Sequence, residues 1–175
     1  MITIIVGTNR PNSRARRVAD FYTQLLTEHG VTAQLLDLTE LPLDFTTSAL
    51  YHNTGRHDEF NRLVRLAESA DKLVFVVPEY NCSFPGVLKA FIDGLPYPGG
   101  IRGKKAALVG LSSGGQGGIL PLNHLTDVLM YLGTAVLPER VRLPFIDKYL
   151  TPEGLITEPL YQQVLREQVA SLLAF

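Results

Sequence analysis

The stretch that decides the fold is Met1-Ile2-Thr3-Ile4-Ile5-Val6-Gly7-Thr8-Asn9-Arg10-Pro11-Asn12-Ser13-Arg14, where an apolar run changes abruptly into a polar loop. The run Ile2 to Val6 is almost uniformly apolar, which is typical of a strand buried on both faces of a parallel sheet. From Ser13 to His29, apolar residues recur at three- and four-residue spacing and predict a helix that ends before Gly30. A buried strand, a polar loop and a helix in this order predict the first unit of an α/β fold.

The same alternation continues along the whole chain. The predicted strands are Ile2 to Val6, Thr32 to Leu38, Lys72 to Val77, Lys105 to Leu111 and Thr134 to Leu137. The predicted helices are Ser13 to His29, His57 to Ala70, Pro85 to Leu95, Leu120 to Leu132 and Pro159 to Leu173. We therefore expect one α/β domain over residues 1–175, a doubly wound five-stranded parallel sheet of order 2-1-3-4-5 with helices on both faces. The ligand crevice of such a sheet lies at the carboxyl ends of strands one and three.

Composition and charge exclude two classes of protein. The chain has 175 residues, of which 46% are hydrophobic and 19% charged, a balance that supports one folded core and argues against a disordered chain. Its formal net charge is -1, so it lacks the basic surface that binding to nucleic acid requires.

The cysteine count, the positions of the histidines and the hydropathy pattern limit the kinds of site and the cellular compartment that we expect. The one cysteine, Cys82, excludes an intrachain disulfide and a zinc site built from several thiolates. His52 and His57 lie in and beside a polar loop, and we interpret them as solvated side chains rather than metal ligands. No apolar stretch reaches the roughly 20 residues of a membrane span, and the amino-terminal run lacks the pattern of a signal peptide. We therefore expect a cytoplasmic protein without a membrane partner.

The first loop, Gly7 to Arg14, has the composition of a phosphate cradle. The N–H groups and the positive dipole end of the following helix face the predicted crevice and favour an anion there. Thr8 and Ser13 add hydroxyl groups, and Arg10 adds a forked cation suited to phosphate oxygens. Neither G-x-G-x-x-G nor a Gly-Lys-Ser/Thr pattern is present, so a terminal phosphomonoester is favoured over a pyrophosphate. The alternative is an ordinary capped loop with a solvated arginine.

The second loop, Val77 to Gly86, brings a tyrosine and an amide to the predicted crevice. Tyr80 can offer a face or an edge to a flat heteroaromatic ring, and Asn81 can match the donors and acceptors of that ring. Glu79 is not assigned as a general base, because structural amides or a neighbouring subunit can equally engage it. Cys82 is predicted to be a small packed side chain rather than a nucleophile, since no histidine lies near it in sequence.

The third loop, Ser112 to Gly118, is rich in glycine and lies between a buried strand and a helix. Glycine allows close approach of the backbone to a ligand, so we expect a ring edge to lie against this loop. The segment Gly110 to Gly114 also matches G-x-S-x-G, the nucleophile elbow of α/β-hydrolases. That fold requires an acid between the serine and the histidine, and none lies between Ser112 and His124, so the hydrolase alternative is disfavoured.

Three motifs in order carry a resemblance to a known family: Gly7-Thr8-x-Arg10-x-x-Ser13; Pro78-Glu79-Tyr80-Asn81, followed by Pro85-Gly86-x-Leu88-Lys89 and Asp93; and Gly103-Lys104 with Ser112-x-Gly114-Gly115-x-Gly117-Gly118. Over about residues 1–140 the chain resembles the NADPH-dependent FMN reductases, flavodoxin-like proteins that include bacterial quinone, azo and chromate reductases. It departs from the usual family pattern at Arg14 and Ala15, at Ala90, and at Ile119-Leu120-Pro121.

The resemblance implies a flavodoxin-like fold with bound FMN. It implies that the phosphate lies at Thr8, Arg10, Ser13 and the amides of Arg14 and Ala15. It implies that the isoalloxazine ring is held by Pro78, Glu79, Tyr80 and Asn81 on one side and by Ser112, Ser113, Gly114 and Gly115 on another.

The implied activity is transfer of hydride from NADPH or NADH, through the flavin, to a small acceptor such as a quinone, a flavin, an azo compound or a metal oxyanion. Arg14, Arg16 or Arg17 can meet the extra phosphate of NADPH, although a solvated helix face explains them equally well. The resemblance implies a homodimer or homotetramer, and we interpret residues 96–100 and 41–43 as candidate contact surfaces. The alternatives are a flavodoxin-like electron carrier, which the net charge of -1 disfavours, and an FMN-binding module without reductase activity.

Overall fold

A computed structural model describes residues 1–175 and has a parallel sheet at its centre. The strands are β1 (Ile2–Val6), β2 (Ala33–Asp37), β3 (Lys72–Pro78), β4 (Lys105–Leu111), β5 (Ala135–Val136) and β6 (Val141–Leu143). The strand order is β2-β1-β3-β4-β5, and β6 also pairs with β4. All pairings are parallel, and β1 pairs Val6 with Asp37 of β2 and with Val76 of β3. The predicted fold class and strand order are therefore confirmed.

The fifth strand position differs from the prediction of one strand from Thr134 to Leu137. It holds two short strands, since β5 pairs with the beginning of β4 and β6 pairs with its end. Pro138 lies in the interruption and has no N–H for a ladder hydrogen bond. Gln168, a buried residue of the last helix, bridges the gap: its Nε2 donates to the carbonyls of Leu108 and Glu139 at 3.0 and 2.6 Å.

Helices cover both faces of the sheet. The helices are α1 (Arg14–Glu28), α2 (Phe45–Ser48), α3 (Asp58–Glu68), α4 (Gly86–Asp93), α5 (Ile119–Tyr131), α6 (Ile146–Tyr149) and α7 (Pro159–Ala174). One apolar core lies between the sheet and α1, α6 and α7, and a second lies between the sheet and α3, α4 and α5. Burial on both faces explains why the central strands are apolar at nearly every position.

Lysines at the amino-terminal edge of the sheet hold the ends of two helices. Lys72 Nζ donates to the carbonyls of Leu172 and Leu173 in the last turn of α7, at 2.8 and 2.9 Å. Lys104 Nζ donates to the carbonyl of Glu68 at the end of α3, at 2.6 Å. These cations meet the negative dipole ends of the helices, so the opposite edge of the sheet faces the helix amino termini.

None of the helices combines the length and the apolar character needed to span a bilayer. No three His, Cys, Asp or Glu side chains lie close enough together to share a metal ion.

Substitution of Gly94 tests the packing of the second core. A Cβ at Gly94 would collide with the Phe60 ring and lie 2.6 Å from Cδ2 of Leu50. Phe60 cannot yield easily, because it stacks on Phe45 at 5.7 Å and lies against Phe91. We expect Gly94→Ala to lower the free energy of unfolding by about 1–3 kcal/mol, measured by urea denaturation.

The matched control is Gly86→Ala in the first turn of the same helix, where an added Cβ meets no atom within 4 Å. This variant should be as stable as the unmodified protein or slightly more stable, since alanine favours the helix. Equal stability of the two variants would contradict the packing described for Gly94.

Candidate functional site

A cavity of about 600 Å³ lies where the carboxyl ends of β1, β3 and β4 meet. Its volume is in the range of small-molecule binding sites. The structure brings these residues singled out from the sequence to its walls: Thr8, Arg10, Ser13, Arg14, Ala15, Pro78, Glu79, Tyr80, Asn81, Ser112 and Ser113. Gly114 and Gly115 are not among its lining residues, and Gly115 instead lines a neighbouring cavity beside α7.

The amino terminus of α1, which follows the first loop, presents free N–H groups to the cavity. Ser13 caps the helix, because its Oγ accepts from the N–H of Arg16 at 3.1 Å. The N–H groups of Arg14 and Ala15 have no acceptor within the chain. These free N–H groups and the positive end of the helix dipole can attract an anion.

Gly7 and Thr8 fix the path of this loop. The Gly7 N–H donates to the carbonyl of Val76 at 2.9 Å, and a Cβ at Gly7 would lie 3.1 Å from that same oxygen. Thr8 is completely buried, and its Oγ1 accepts from the N–H of Arg10 at 3.2 Å. The same Oγ1 lies 2.8 Å from the hydroxyl of Tyr80, so a hydrogen bond joins the first loop to the second.

The arginines around the cavity differ in their partners. Arg14 forms an ion pair with Asp147, and Arg17 donates to the carbonyl of Thr151 at 3.1 Å. The guanidinium of Arg10 is exposed and has neither an ion pair nor a hydrogen bond within the chain. Arg10 is therefore the cavity cation that is free to bind an anionic ligand.

The second loop contains a tight turn with an exposed cysteine at its tip. Tyr80 and Ser83 exchange backbone hydrogen bonds of 2.8 and 3.0 Å, and the two residues between them have positive φ angles, 49° at Asn81 and 62° at Cys82. Such a two-residue hairpin turn projects its central side chains away from the core. The prediction that Cys82 is packed is therefore wrong, since this thiol is exposed.

Glu79 holds the second loop to the third but has an incomplete hydrogen-bond set. Its N–H donates to the carbonyl of Leu111 at 3.0 Å. Its Oε2 is buried and has no hydrogen-bond partner in the chain. An unpartnered buried carboxylate oxygen is costly, so this part of the site lacks a donor that a ligand or a second subunit can supply.

The hydroxyl of Ser112 stabilises the third loop from within. Its Oγ donates to the carbonyl of Gly114 and accepts from the N–H of Gly117, both at 2.9 Å. His124, the histidine of the hydrolase alternative, lies with its Nδ1 3.0 Å from Oγ of Ser83 instead. The serine and the histidine therefore do not form a catalytic pair.

The sequence did not assign four residues of the cavity wall, Pro11, Asn12, Leu111 and Ile146, and it pointed to Arg17 only as a candidate for the extra phosphate of NADPH. Ile146 arrives from the segment after β6, where its N–H donates to the carbonyl of Ser112 at 3.1 Å. Because β6 was not predicted, no pattern pointed to the loop that follows it. Pro11 and Asn12 lie within the predicted phosphate loop and could have been included from their position alone.

Comparison with known proteins assigns the chain to a family. The family model described as NADPH-dependent FMN reductase matches residues 1–146. An FMN-dependent NADPH-azoreductase of Staphylococcus aureus is 30% identical over 145 residues, which cover 79% of this chain and 73% of the relative.

Solved structures support the same assignment. The flavoenzyme FerB of Paracoccus denitrificans, an NAD(P)H:(acceptor) oxidoreductase, is 25% identical and superposes with a TM-score of 0.80 over 99% of this chain and 94% of that one. A flavodoxin variant from Pseudomonas aeruginosa, 19% identical, superposes with a TM-score of 0.62 over 98% of this chain and 97% of its own and shares the fold. The family model covers residues 1–146 of the 175, so this chain belongs to the NADPH-dependent FMN reductase family.

Proposed function

We propose that the cavity at the carboxyl ends of β1, β3 and β4 holds FMN and that the protein reduces a small acceptor with electrons from NAD(P)H. As a member of its family the chain is an FMN-dependent oxidoreductase that uses NAD(P)H. The observation that carries the proposal is the anion site of the first loop, which adjoins an aromatic residue and a polar loop inside one cavity of about 600 Å³.

The first loop fits a phosphate monoester. The unpaired N–H groups of Arg14 and Ala15 can each donate to a phosphate oxygen, and the free guanidinium of Arg10 can donate to two. The Ser13 hydroxyl accepts from the N–H of Arg16 and retains its own proton for a further hydrogen bond. The donor set therefore suits a doubly charged terminal phosphate, as FMN carries.

The second and third loops fit a flat ring. The hydrogen bond between Tyr80 and Thr8 fixes the tyrosine at the cavity wall, so its ring can pack against a ligand without losing much side-chain freedom. Asn81 lies in the turn that Tyr80 and Ser83 close, which limits its movement as well. The backbone of Ser112 and Ser113 completes the wall on the side of β4.

The chemistry that FMN supplies when bound is acceptance of a hydride from NAD(P)H and delivery of the electrons to a second substrate. The residues of this chain contribute position and charge: Arg10 and the start of α1 bind the phosphate, and Tyr80 and Asn81 orient the ring.

The acceptor that we propose is a quinone, a flavin, an azo compound or a metal oxyanion. The azoreductase relative supports the azo compound among these. A non-enzymatic electron carrier is disfavoured, because family membership indicates a reductase and the net charge of -1 gives little steering toward a basic protein partner.

We propose a homodimer or homotetramer. Three large apolar side chains near α4 and α5 are exposed: Tyr97, Met130 and Tyr131. Tyr97 and Tyr131 flank a groove of about 580 Å³ whose walls include Ile92, Ile101 and Val128. An exposed apolar patch of this kind is typical of an interface between subunits.

The exposed thiol of Cys82 supports the cytoplasm as the working compartment. An unpaired surface thiol persists best where the glutathione pool keeps cysteines reduced.

Anaerobic reduction tests the proposed function directly. The protein loaded with FMN should lose the visible absorbance band of its oxidised flavin when NADPH or NADH is added without oxygen. Addition of a quinone or an azo dye should then restore the band. Bound FMN that neither nucleotide bleaches would favour the electron-carrier or binding-module alternative.

Substitution of Arg10 tests the phosphate site. Loss of a charge-assisted hydrogen bond of about 1.5–3 kcal/mol should weaken FMN binding by roughly tenfold to a hundredfold in Arg10→Ala, measured by fluorescence titration. The fold should be unaffected, because the Arg10 side chain has no partner in the chain. Arg56→Ala is the control, since Arg56 is also exposed but lies outside the cavity. Equal FMN affinity in both variants would remove Arg10 from the site.

Sedimentation equilibrium tests the oligomer. The unmodified protein should have twice or four times the chain mass of 19.3 kDa. Tyr131→Asp should shift the equilibrium toward the monomer by placing a charge in the apolar patch, whereas Leu160→Asp on the opposite face of the sheet should not. A monomer in the unmodified protein at micromolar concentration would contradict the proposal.

A further inference from the structure

The segment after β6 runs past the cavity that we propose for FMN. The N–H of Phe145 donates to the carbonyl of Gly114 at 3.0 Å, and the N–H of Ile146 donates to the carbonyl of Ser112 at 3.1 Å. Ile146 is buried and lines the cavity. These contacts fix the backbone of the next residue, Asp147, beside the cavity wall.

The carboxylate of Asp147 engages an arginine of that wall. It forms an ion pair with Arg14, which is the first residue of α1 and lines the cavity. The Cα–Cβ bonds of an α-helix tilt toward its amino terminus, so the Arg14 side chain extends on the same side as the free N–H groups that attract an anion. The two side chains are 42% and 39% exposed, so a ligand and Asp147 compete for the same accessible cation.

This ion pair changes the charge that the cavity offers to a phosphate. Three arginines line the cavity, Arg10, Arg14 and Arg17. Arg10 has no partner in the chain and Arg17 donates to a neutral carbonyl, so both keep their net positive charge. Arg14 is opposed by Asp147, and no other ion pair of the chain involves a residue of the cavity wall. One of the three cations is therefore neutralised from outside the wall.

We propose that Asp147 lowers the affinity of the cavity for the phosphate of FMN by neutralising Arg14, and that it thereby limits the preference of the protein for FMN over riboflavin. The inference rests on the proposed function, because it requires FMN in this cavity. Loss of the carboxylate at position 147 leaves the Arg14 guanidinium free to interact with the phosphate and removes a negative charge that repels it. Both effects are electrostatic, so they weaken as the salt concentration rises.

Titration of the full chain, freed of flavin, with FMN and with riboflavin tests the inference. Asp147→Asn should bind FMN about threefold to tenfold more tightly than the unmodified protein at low ionic strength, whereas its affinity for riboflavin, which has no phosphate, should be unchanged. The gain for FMN should shrink when the ionic strength is raised to about 1 M, where charges are screened beyond roughly 3 Å. Flavin fluorescence reports both affinities.

A cycle of charge changes separates this electrostatic role from a structural one. Arg14→Gln leaves Asp147 without its partner near the phosphate, so this variant should bind FMN more weakly. The double variant Arg14→Gln/Asp147→Asn again has a pair without net charge and should bind FMN about as tightly as the unmodified protein. An ion pair that only holds the segment after β6 in place would instead, when broken, weaken the binding of both flavins.

Asp20→Asn is the matched control. Asp20 also pairs with an arginine of α1, since Nε of Arg16 donates to it at 3.0 Å, and its side chain is 48% exposed. Arg16 does not line the cavity, and Asp20 lies about 9 Å further along the helix axis than Arg14. The affinity for FMN should therefore change much less in this variant than in Asp147→Asn. If Asp147→Asn does not fold, Asp147→Ser at the same exposed position makes the same test.

Three results would overturn the inference: unchanged or weaker binding of FMN by Asp147→Asn, an equal gain for riboflavin, or an equal gain in Asp20→Asn. Failure of the proposed function is a separate result. Bound FMN that neither NADPH nor NADH bleaches would overturn the proposed function alone, and the titrations would still decide the role of Asp147. An unmodified protein that binds no FMN would overturn both.

Discussion

The parallel pairing of β1 with a neighbour on each side is the constraint on which the site depends. Val6 lies in register with Asp37 of β2 and with Val76 of β3, so β1, β2 and β3 end at the same edge of the sheet. The winding direction reverses at β1, and the helices that follow β1 and β3 therefore cover opposite faces. No helix closes the space between those two loops, and a crevice forms with free N–H groups on one side. The hydrogen bond between Thr8 and Tyr80 then ties its two walls together.

The sequence contains enough information for the fold and for most of the cavity wall. Continuous apolar runs and glycine stops determine β1, β3, β4 and α1, because burial on both faces imposes these patterns on any parallel sheet. The exposure of Cys82 was not predictable. It follows from a turn that is closed by backbone hydrogen bonds between Tyr80 and Ser83, and no residue pattern in the sequence indicates this turn. The division of the fifth strand was also missed, because Pro138 breaks the pattern and a distant glutamine replaces the missing pairing. Because β6 was not predicted, the contribution of Ile146, which lies in the segment after β6, was missed as well.

The structure adds most to the sequence analysis by showing the partners of the charged side chains. The sequence points to Arg10 for the phosphate loop and leaves Arg14, Arg16 and Arg17 as equal candidates for a second anion. Their partners separate them into an arginine with none, Arg10; two that stabilise the loop after β6, Arg14 and Arg17; and one clamped between carboxylates, Arg16. An arginine that is already neutralised contributes less to binding a ligand, because the ligand must compete with the internal partner. The partner set, rather than the residue type, therefore decides which role each arginine can have.

The amide of Gln168 has a consequence for how the chain acquires its structure. It serves the Leu108 carbonyl from 60 residues further along the sequence, in a position that a neighbouring strand would normally occupy. Contacts between residues so far apart form late, because closing a long loop is entropically unfavourable. A nascent chain that has emerged only as far as β4 therefore has an open edge on its sheet. That edge is completed only when β5 and β6 pair with β4 and α7 places Gln168 in the gap between them.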